Sequence, residues 1–380
     1  MNCAIVVIGF NRINSMRRLM DSISKANYEG DNVDLIFSID YSGNDEIENY
    51  AKDFRWEHGN KRIVAHKNRL GLRNHVLKCG DFVFDYDGIA VFEDDLFVAP
   101  SFYSYMKRAI QFYKDDLRIA GISLYTHLWN ESAQRPFAAE KTLYDSYFIQ
   151  YAQSWGQIWM PKQWNQFKEW YEKNSNSLII NNNIPRRVSQ WGETSWLKYH
   201  IIYCIEMNKF FVYPYYSYST NFVEVGQHCK TSNRIYQVPL AYSSSADYRF
   251  AEFDSIEAPH YDAFFERIIS PEALKLNEEI LVDLYGEKTW QGERYYLTTR
   301  KLDFKIVREY GLFLRPQEMN VLLDVRGNDI FLYDTYETVK TNKRRRFDIT
   351  RWDYESRVFD YRYITEVLID RVKKKVFRKL

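Results

Sequence analysis

What the 380-residue sequence holds little of narrows it first. It has four cysteines, Cys3, Cys79, Cys204 and Cys229, spread along the chain with no CxxC pair. That excludes a disulfide framework and a zinc knuckle of closely spaced thiols, and a reducing, cytoplasmic compartment is the expectation. Charge of one sign is equally scarce: the formal net charge is +1, which argues against general nucleic-acid binding. No apolar run approaches the roughly 20 residues of a membrane span. The opening stretch, "MNCAIVVIGFNR", is apolar but lacks a basic n-region and a small-residue cleavage site, so it does not read as a signal peptide. There is no internal repeat and no low-complexity linker. The absence of GxGxxG removes an NAD-dependent dehydrogenase.

Aromatic residues are plentiful, at 17% of the chain with 31 Tyr and 10 Trp; such rings suit cores and sites that stack on sugars or bases. The first hundred residues alternate strand and helix signals. "AIVVIGF" (4–10) is a continuous apolar run, as in a strand buried on both faces. Met16, Leu19, Met20 and Ile23 then recur at helical spacing. Residues 33–40, "VDLIFSID", and 62–66, "RIVAH", predict second and third strands. A helix is predicted over 72–84 and a fourth strand over 89–95, after which Pro100 can open a helix at its first position. This βαβαβ order predicts an α/β fold with a mostly parallel sheet and helices on both faces. From about residue 119 the strands are short, with one long helix predicted around 194–208. Past residue 271 the patterning weakens, which places a main domain at 1–265 and a C-terminal α+β extension at 266–380.

Three carboxylates, Glu93, Asp94 and Asp95, stand side by side at the end of the fourth predicted strand. In open α/β sheets ligands bind beyond the C-terminal strand ends. On an extended strand Glu93 and Asp95 would face one side and Asp94 the other. Such acids suit a hard divalent cation, Mg²⁺ or Mn²⁺, whose open positions take water or phosphate oxygens. A solvated acidic helix start is the other reading of the same residues.

"IAVFEDDLFVAPSFYSYMKRAIQFYKDDLRIAGIS" resembles the DXD-motif region of metal-dependent GT-A glycosyltransferases, Rossmann-like enzymes that use nucleotide sugars. It is similar to the N-acetylglucosaminyltransferase I family, whose strand also ends in Glu-Asp-Asp. It is also similar to a bacterial group of family-2-like glycosyltransferases, which shares "NRLGLRNHVL", "SWGQIWMPKQW" and "SWLKYHIIYCIEMNKFFVYPYYSYSTNFVEVGQHC" in order. The resemblance implies an inverting, metal-dependent transferase of hexose or N-acetylhexosamine units, with a UDP-sugar donor and a glycan or lipid-linked acceptor in surface polysaccharide synthesis. Asp95 would ligate the metal, and Glu93 and Asp94 would contact ribose, sugar or bound water. Gly9, Asn11 and Arg12 would line the nucleotide. Asp40 would meet base or ribose, and Arg73 would reach nucleotide or phosphates. A surface or turn role fits each of Arg12, Asp40 and Arg73 as well.

Inversion needs a carboxylate to deprotonate the acceptor. The resemblance points to "QWGETSW", where Glu193 is the only acid; a surface Glu near a helix start is the alternative. His228 in "EVGQHC" corresponds to a loop histidine that would meet the metal or diphosphate, or serve only as a hydrogen-bonded loop residue. Trp155 and Trp191 are the tryptophans expected near the site, the others being core. The C-terminal segment, "YITEVLIDRVKKKVFRKL", spaces Ile364, Leu368, Val372 and Val376 by four among basic residues. With "KTNKRRR" upstream it suits a peripheral contact with anionic lipid, or a helix docked on the protein with a solvated basic face. Two rivals stay open. One is a sugar-phosphate nucleotidyltransferase, although "GFNRINS" offers only Gly9 where a Gly-rich loop is needed. The other is an inactive GT-A domain serving as a carbohydrate-binding or scaffold protein.

Overall fold

A computed structural model describes residues 1–222, 234–242, 247–340 and 360–377. The first strand is β1 (Cys3–Gly9), every residue of which is buried. Helix α1 (Ile13–Ser24) follows and buries Met16, Leu19, Met20 and Ile23, the predicted stripe. Each such side chain contributes about 1.5–3 kcal/mol of burial. Next come β2 (Val33–Ile39), α2 (Glu46–Asp53), β3 (Lys61–Ala65), α3 (Leu72–Gly80) and β4 (Gly88–Glu93). After β4 the chain makes β5 (Leu96–Val98), α4 (Phe102–Tyr113) and β6 (Ile119–Ser123). The short strands β7 (Trp129–Asn130) and β8 (Arg135–Pro136) pair with each other. Then follow β9 (Ser146–Ile149), β10 (Gln157–Trp159), α5 (Pro161–Asn174), α6 (Arg186–Ser189), α7 (Trp196–Glu206), β11 (Phe210–Pro214), β12 (Ser219–Asn221) and β13 (His260–Tyr261).

The main sheet runs β13-β9-β11-β6-β10-β4-β1-β2-β3. β1 pairs in parallel with both β2 and β4, and β2 with β3. β10 enters antiparallel between β4 and β6, so the sheet is mostly parallel with an antiparallel insertion. Alternate residues of β1 feed two cores: Cys3, Ile5 and Val7 pack with α1 and α4, whereas Ala4, Val6 and Ile8 pack with α3, α5 and α7. The two-faced apolar run in the sequence is therefore a strand with helices on both sides. Because the chain leaves β1 toward β2 and later returns to pair β4 on the other side, a crevice opens between the C-terminal ends of β1 and β4.

Two expectations change here. β4 stops at Glu93, and Asp94 and Asp95 form a turn before β5. The strand alternation that would have pointed Asp94 away therefore ends one residue too early. Pro100 does not start α4: Ser101 is its N-cap and Phe102 its first residue. Instead the Pro100 carbonyl accepts the Asn27 N–H (2.8 Å) and Ala99 is held by the Tyr218 carbonyl (2.8 Å), which fixes these residues as connection. The predicted helix over 194–208 is α7, and Ser195 caps it by accepting the Lys198 N–H.

Beyond residue 265 a second sheet assembles from β14 (Ile280–Asp283), β15 (Tyr295–Thr298), β16 (Phe304–Tyr310) and β17 (Ile330–Thr338), in the order β14-β15-β17-β16. A short helix, α8 (Met319–Leu322), packs Val321 into its core. The sheet is tied to the main one: Tyr261 donates to Glu318 Oε1 (2.7 Å) and the Tyr285 N–H to Glu266 Oε1 (2.6 Å). The last helix is α9 (Tyr361–Phe377), with Leu368 and Val372 exposed; apart from Lys340, "KTNKRRR" lies outside the described residues. No described helix is long and apolar enough to cross a membrane.

Candidate active site

The crevice is a cleft of about 570 Å³. Gly9 ends β1, and Phe10, Asn11 and Arg12 turn into α1; all four residues line it. Opposite them stand Glu93, Asp94 and Asp95, and beside them Asp40 at the end of β2. The far wall comes from Ser154 and Trp155 ahead of β10, and from Trp191, Gly192, Thr194, Ser195 and Trp196 at the start of α7. Sequence neighbours thus supply only pieces, and the parallel order of β2, β1 and β4 brings the pieces to one end of the sheet.

Arg12 organises the acids. Its Nε donates to Asp94 Oδ2 (3.3 Å), its Nη2 to Asp94 Oδ1, and its Nη1 to Asp95 Oδ2 (3.1 Å). Burial alone would lower the guanidinium pKa, but Asp94 and Asp95 outweigh it and hold Arg12 charged. Among the described residues Glu93 has no ion pair, although the Arg12 charge acts on it from a distance. Lost hydration and the like charges of Asp95 and Asp94 push its carboxyl up to about 8, against a hydrogen bond from Trp196. Burial pushes Asp94 up to about 6 even with Arg12 beside it. The wall is therefore short of positive charge, which is the condition a cation relieves. Among the described residues no group of three or more His, Cys, Asp or Glu side chains is arranged as a ready metal cage. A hard divalent cation still fits the donor chemistry, because carboxylates on one side leave positions for water and phosphate oxygens.

Asp40 is placed in the cleft but is engaged with backbone. Its Oδ1 accepts the N–H groups of Tyr41 (2.9 Å) and Leu70 (2.8 Å), and its Oδ2 that of Gly71 (3.0 Å). It pins the loop before α3 to the end of β2. Arg73 does not line the cleft. Its Nη1 donates to the Tyr199 hydroxyl (2.6 Å) and its guanidinium lies 5.0 Å from that ring's centre, which directs it to α7. Glu193 is exposed; Gly192 and Thr194 on either side of it line the cleft, whereas Glu193 is not among the lining residues. Trp155 and Trp191 both line it, and Trp155 is braced by Tyr125 (4.7 Å) and Tyr236 (5.0 Å). Gly156 follows at φ +92°, where a Cβ would come within 2.9 Å of Ser219 Oγ, so only glycine lets this loop close on β12. His228 lies outside the described residues.

The cleft also contains Arg69, Gly71, His75, Ser154 and Trp196, none of which was expected there. His75 bonds through Nε2 to Ser38 Oγ (2.8 Å), and burial lowers its pKa to about 4, so it is a neutral wall residue. His200, buried in α7, stacks on Phe167 at 4.1 Å and has the structural role its helical position suggests. These residues sit inside "NRLGLRNHVL", "SWGQIWMPKQW" and "QWGETSW"; which side chain of each stretch faces inward depends on loop geometry that periodicity does not describe.

Residues 4–178 match the family model described as "Glycosyl transferase family 2". No curated protein matches the sequence. Among solved structures the chain is similar to S. aureus TarS 1-349 in complex with UDP-GlcNAc, with 10% identity over 61% of this chain and 62% of that one, TM-score 0.38. It is also similar to the mannosyltransferase PcManGT from Pyrobaculum calidifontis in complex with GDP-Man and Mn²⁺, with 10% identity, 56% of each chain and TM-score 0.35. A third is GalNAc-T7 with UDP, GalNAc and Mn²⁺, with 13% identity, 56% of this chain, 42% of that chain and TM-score 0.36. The chain spans less than two thirds of the length of each of these. The family match bears out the glycosyltransferase resemblance; none of these structures comes from the N-acetylglucosaminyltransferase I family.

Proposed function

We propose that the chain, whose residues 4–178 match the family 2 glycosyltransferase model, is a metal-dependent, inverting glycosyltransferase of GT-A type. Its donor is a nucleotide sugar, UDP-linked and of the N-acetylhexosamine type. Its acceptor is a glycan or lipid-linked saccharide in surface polysaccharide synthesis. The observation that carries the proposal is the cleft itself. Gly9, Asn11 and Arg12, Asp40, and Glu93, Asp94 and Asp95 come together beyond the ends of three parallel strands, across from Trp155 and Trp191. An acidic wall facing aromatic faces is suited to a sugar diphosphate beside a cation.

In this reading Asp95 would hold Mn²⁺ or Mg²⁺, which supplies positive charge to the departing diphosphate. Arg12 keeps Asp94 and Asp95 oriented. Trp155 and Trp191 offer apolar faces to sugar rings. Glu193 takes the proton of the acceptor hydroxyl; the acceptor oxygen bonds to C1 of the donor sugar as the bond from C1 to the phosphate oxygen breaks, and the electron pair leaves with the nucleoside diphosphate. One displacement inverts the anomeric centre. His228 is assigned to the same metal or diphosphate. The exposed apolar residues of α9, with Arg371 and Lys373 nearby, suit a peripheral contact with anionic lipid that would bring the enzyme to its acceptor.

The test is release of nucleoside diphosphate from a panel of UDP- and GDP-sugars, with Mn²⁺, with Mg²⁺ and with chelator. Release that needs a divalent ion and is selective for one UDP-sugar is expected. Binding of a saccharide without any turnover of the panel would instead favour the scaffold reading, and formation of a nucleotide sugar from a sugar phosphate the nucleotidyltransferase.

A further inference from the structure

We propose that Arg69 is the side chain that receives the diphosphate of the donor. The inference rests on the nucleotide-sugar reading above and gives it a residue that neither motif nor family match supplied. Among the described residues a diphosphate entering this cleft meets four carboxylates, Asp40, Glu93, Asp94 and Asp95, and needs positive charge from the protein as well as from a cation. Among the described residues two arginines line the cleft, Arg12 and Arg69. Arg12 is committed, bridging Asp94 and Asp95 through three hydrogen bonds. Arg73, the arginine first expected to reach phosphate, is turned to Tyr199 and lies off the cleft.

Arg69 is placed differently. Among the described residues its guanidinium has no carboxylate partner, and it lies 4.9 Å from the centre of the Phe10 ring. Phe10 belongs to the turn after β1 and lines the cleft together with Arg69, so this contact holds the charge at the cleft wall. The loop that carries Arg69 is fixed from below. The Asp40 carboxylate binds the N–H groups of the two residues that follow it, Leu70 and Gly71. Gly71 has φ +77°, the left-handed conformation that glycine adopts without strain, and this turns the chain into α3. An exposed arginine is ordinarily a mobile charge. This one has its backbone pinned by a carboxylate and its planar head supported by a ring, while its N–H fork stays open to a phosphate. Asp40 thus serves the donor indirectly, as a positioning residue for Arg69.

The experiment is calorimetric titration of the full-length chain with UDP, GDP and uridine, comparing wild type with Arg69→Ala, Arg69→Lys and Arg73→Ala. Arg69→Ala is expected to weaken the preferred nucleoside diphosphate at least tenfold and to leave uridine within about twofold, because uridine lacks the phosphates. Arg69→Lys is expected to recover part of the loss, since a point charge lacks the fork. Diphosphate affinity within twofold of wild type in Arg69→Ala overturns the proposal. So do equal losses for uridine and UDP, or a larger loss in Arg73→Ala. If wild type binds neither UDP nor GDP, the nucleotide-sugar reading falls and this inference with it; if wild type binds and Arg69→Ala binds as well, this inference alone falls.

Discussion

Asp40→Asn isolates one part of this architecture. The carboxylate is 5% exposed and accepts three backbone N–H groups, two on Oδ1 and one on Oδ2. The amide has nearly the same shape. Its oxygen can keep the Tyr41 and Leu70 bonds, but its NH₂ must then face the Gly71 N–H, donor against donor. Flipping the amide keeps Gly71 and breaks the other two. Either way at least one hydrogen bond to a charged group is lost, about 1.5–3 kcal/mol, and a partly buried N–H is left without its acceptor. The loss falls on the loop at 69–71 rather than on the sheet, because β2 is held along its whole length by β1 and β3. Local opening should therefore respond more than global unfolding. At 1.4 kcal/mol per tenfold, the amides of Leu70 and Gly71 should exchange with deuterium about 10- to 150-fold faster in Asp40→Asn, with the amides of β1 unchanged. The same variant should weaken UDP through the displaced Arg69. Exchange at Leu70 and Gly71 within twofold of wild type would refute the clamp, and with it the indirect role of Asp40.

Other outcomes follow from the same geometry. Asp95→Asn should abolish turnover while circular dichroism and unfolding midpoint stay near wild type; substantial metal-dependent activity in that variant removes Asp95 as the cation ligand. Glu193→Gln should abolish turnover with UDP affinity retained; a rate near wild type at saturating acceptor shows that another group is the base. Glu318 gives a pH test away from the cleft. Burial raises its carboxyl from 4.5 to about 7, although Tyr261 donates to it. Between those values the native state holds a proton that the unfolded chain has released, so stability falls as pH rises through 4.5–7 and the whole cost is present above 7. The shift corresponds to about 3 kcal/mol. Gln keeps the carbonyl for Tyr261 and never ionises, so Glu318→Gln should nearly match wild type in urea at pH 5 and exceed it by about that amount at pH 8; a gap that does not change with pH contradicts the raised carboxyl.

The parts of this protein visible in its sequence are those with a local physical signature. A strand with helices on both faces must be apolar at every position, and "AIVVIGF" is. Met16, Leu19, Met20 and Ile23 announce the buried side of α1 because a helix brings every third and fourth residue to one side. The alternation of such units implies parallel pairing, and parallel pairing puts strand ends, hence Gly9, Asp40 and Glu93, at one edge. That chain of reasoning places the acidic triplet beside the cleft before any coordinate is known. Where patterning is short-lived, the reading loses detail. β10 spans three residues and enters the sheet antiparallel, a choice made by its neighbours β4 and β6 rather than by its own composition.

Side-chain partnership is the other thing the sequence left undetermined. Arg12 and Asp94 are 82 positions apart, and no periodicity links them. Asp40 could have faced a ribose or a backbone loop with the same strand beneath it; three N–H groups, two of them some 30 residues downstream, decided the matter. Arg69 and Arg73 are four residues apart in one motif, yet one is supported by Phe10 over the cleft and the other by Tyr199 against α7. The sequence by itself determined the parallel strands of the first hundred residues and the edge at which a site must lie, because these follow from burial, which each segment encodes alone. The tertiary structure alone decided which charges meet, because hydrogen bonds between distant residues depend on how the segments pack.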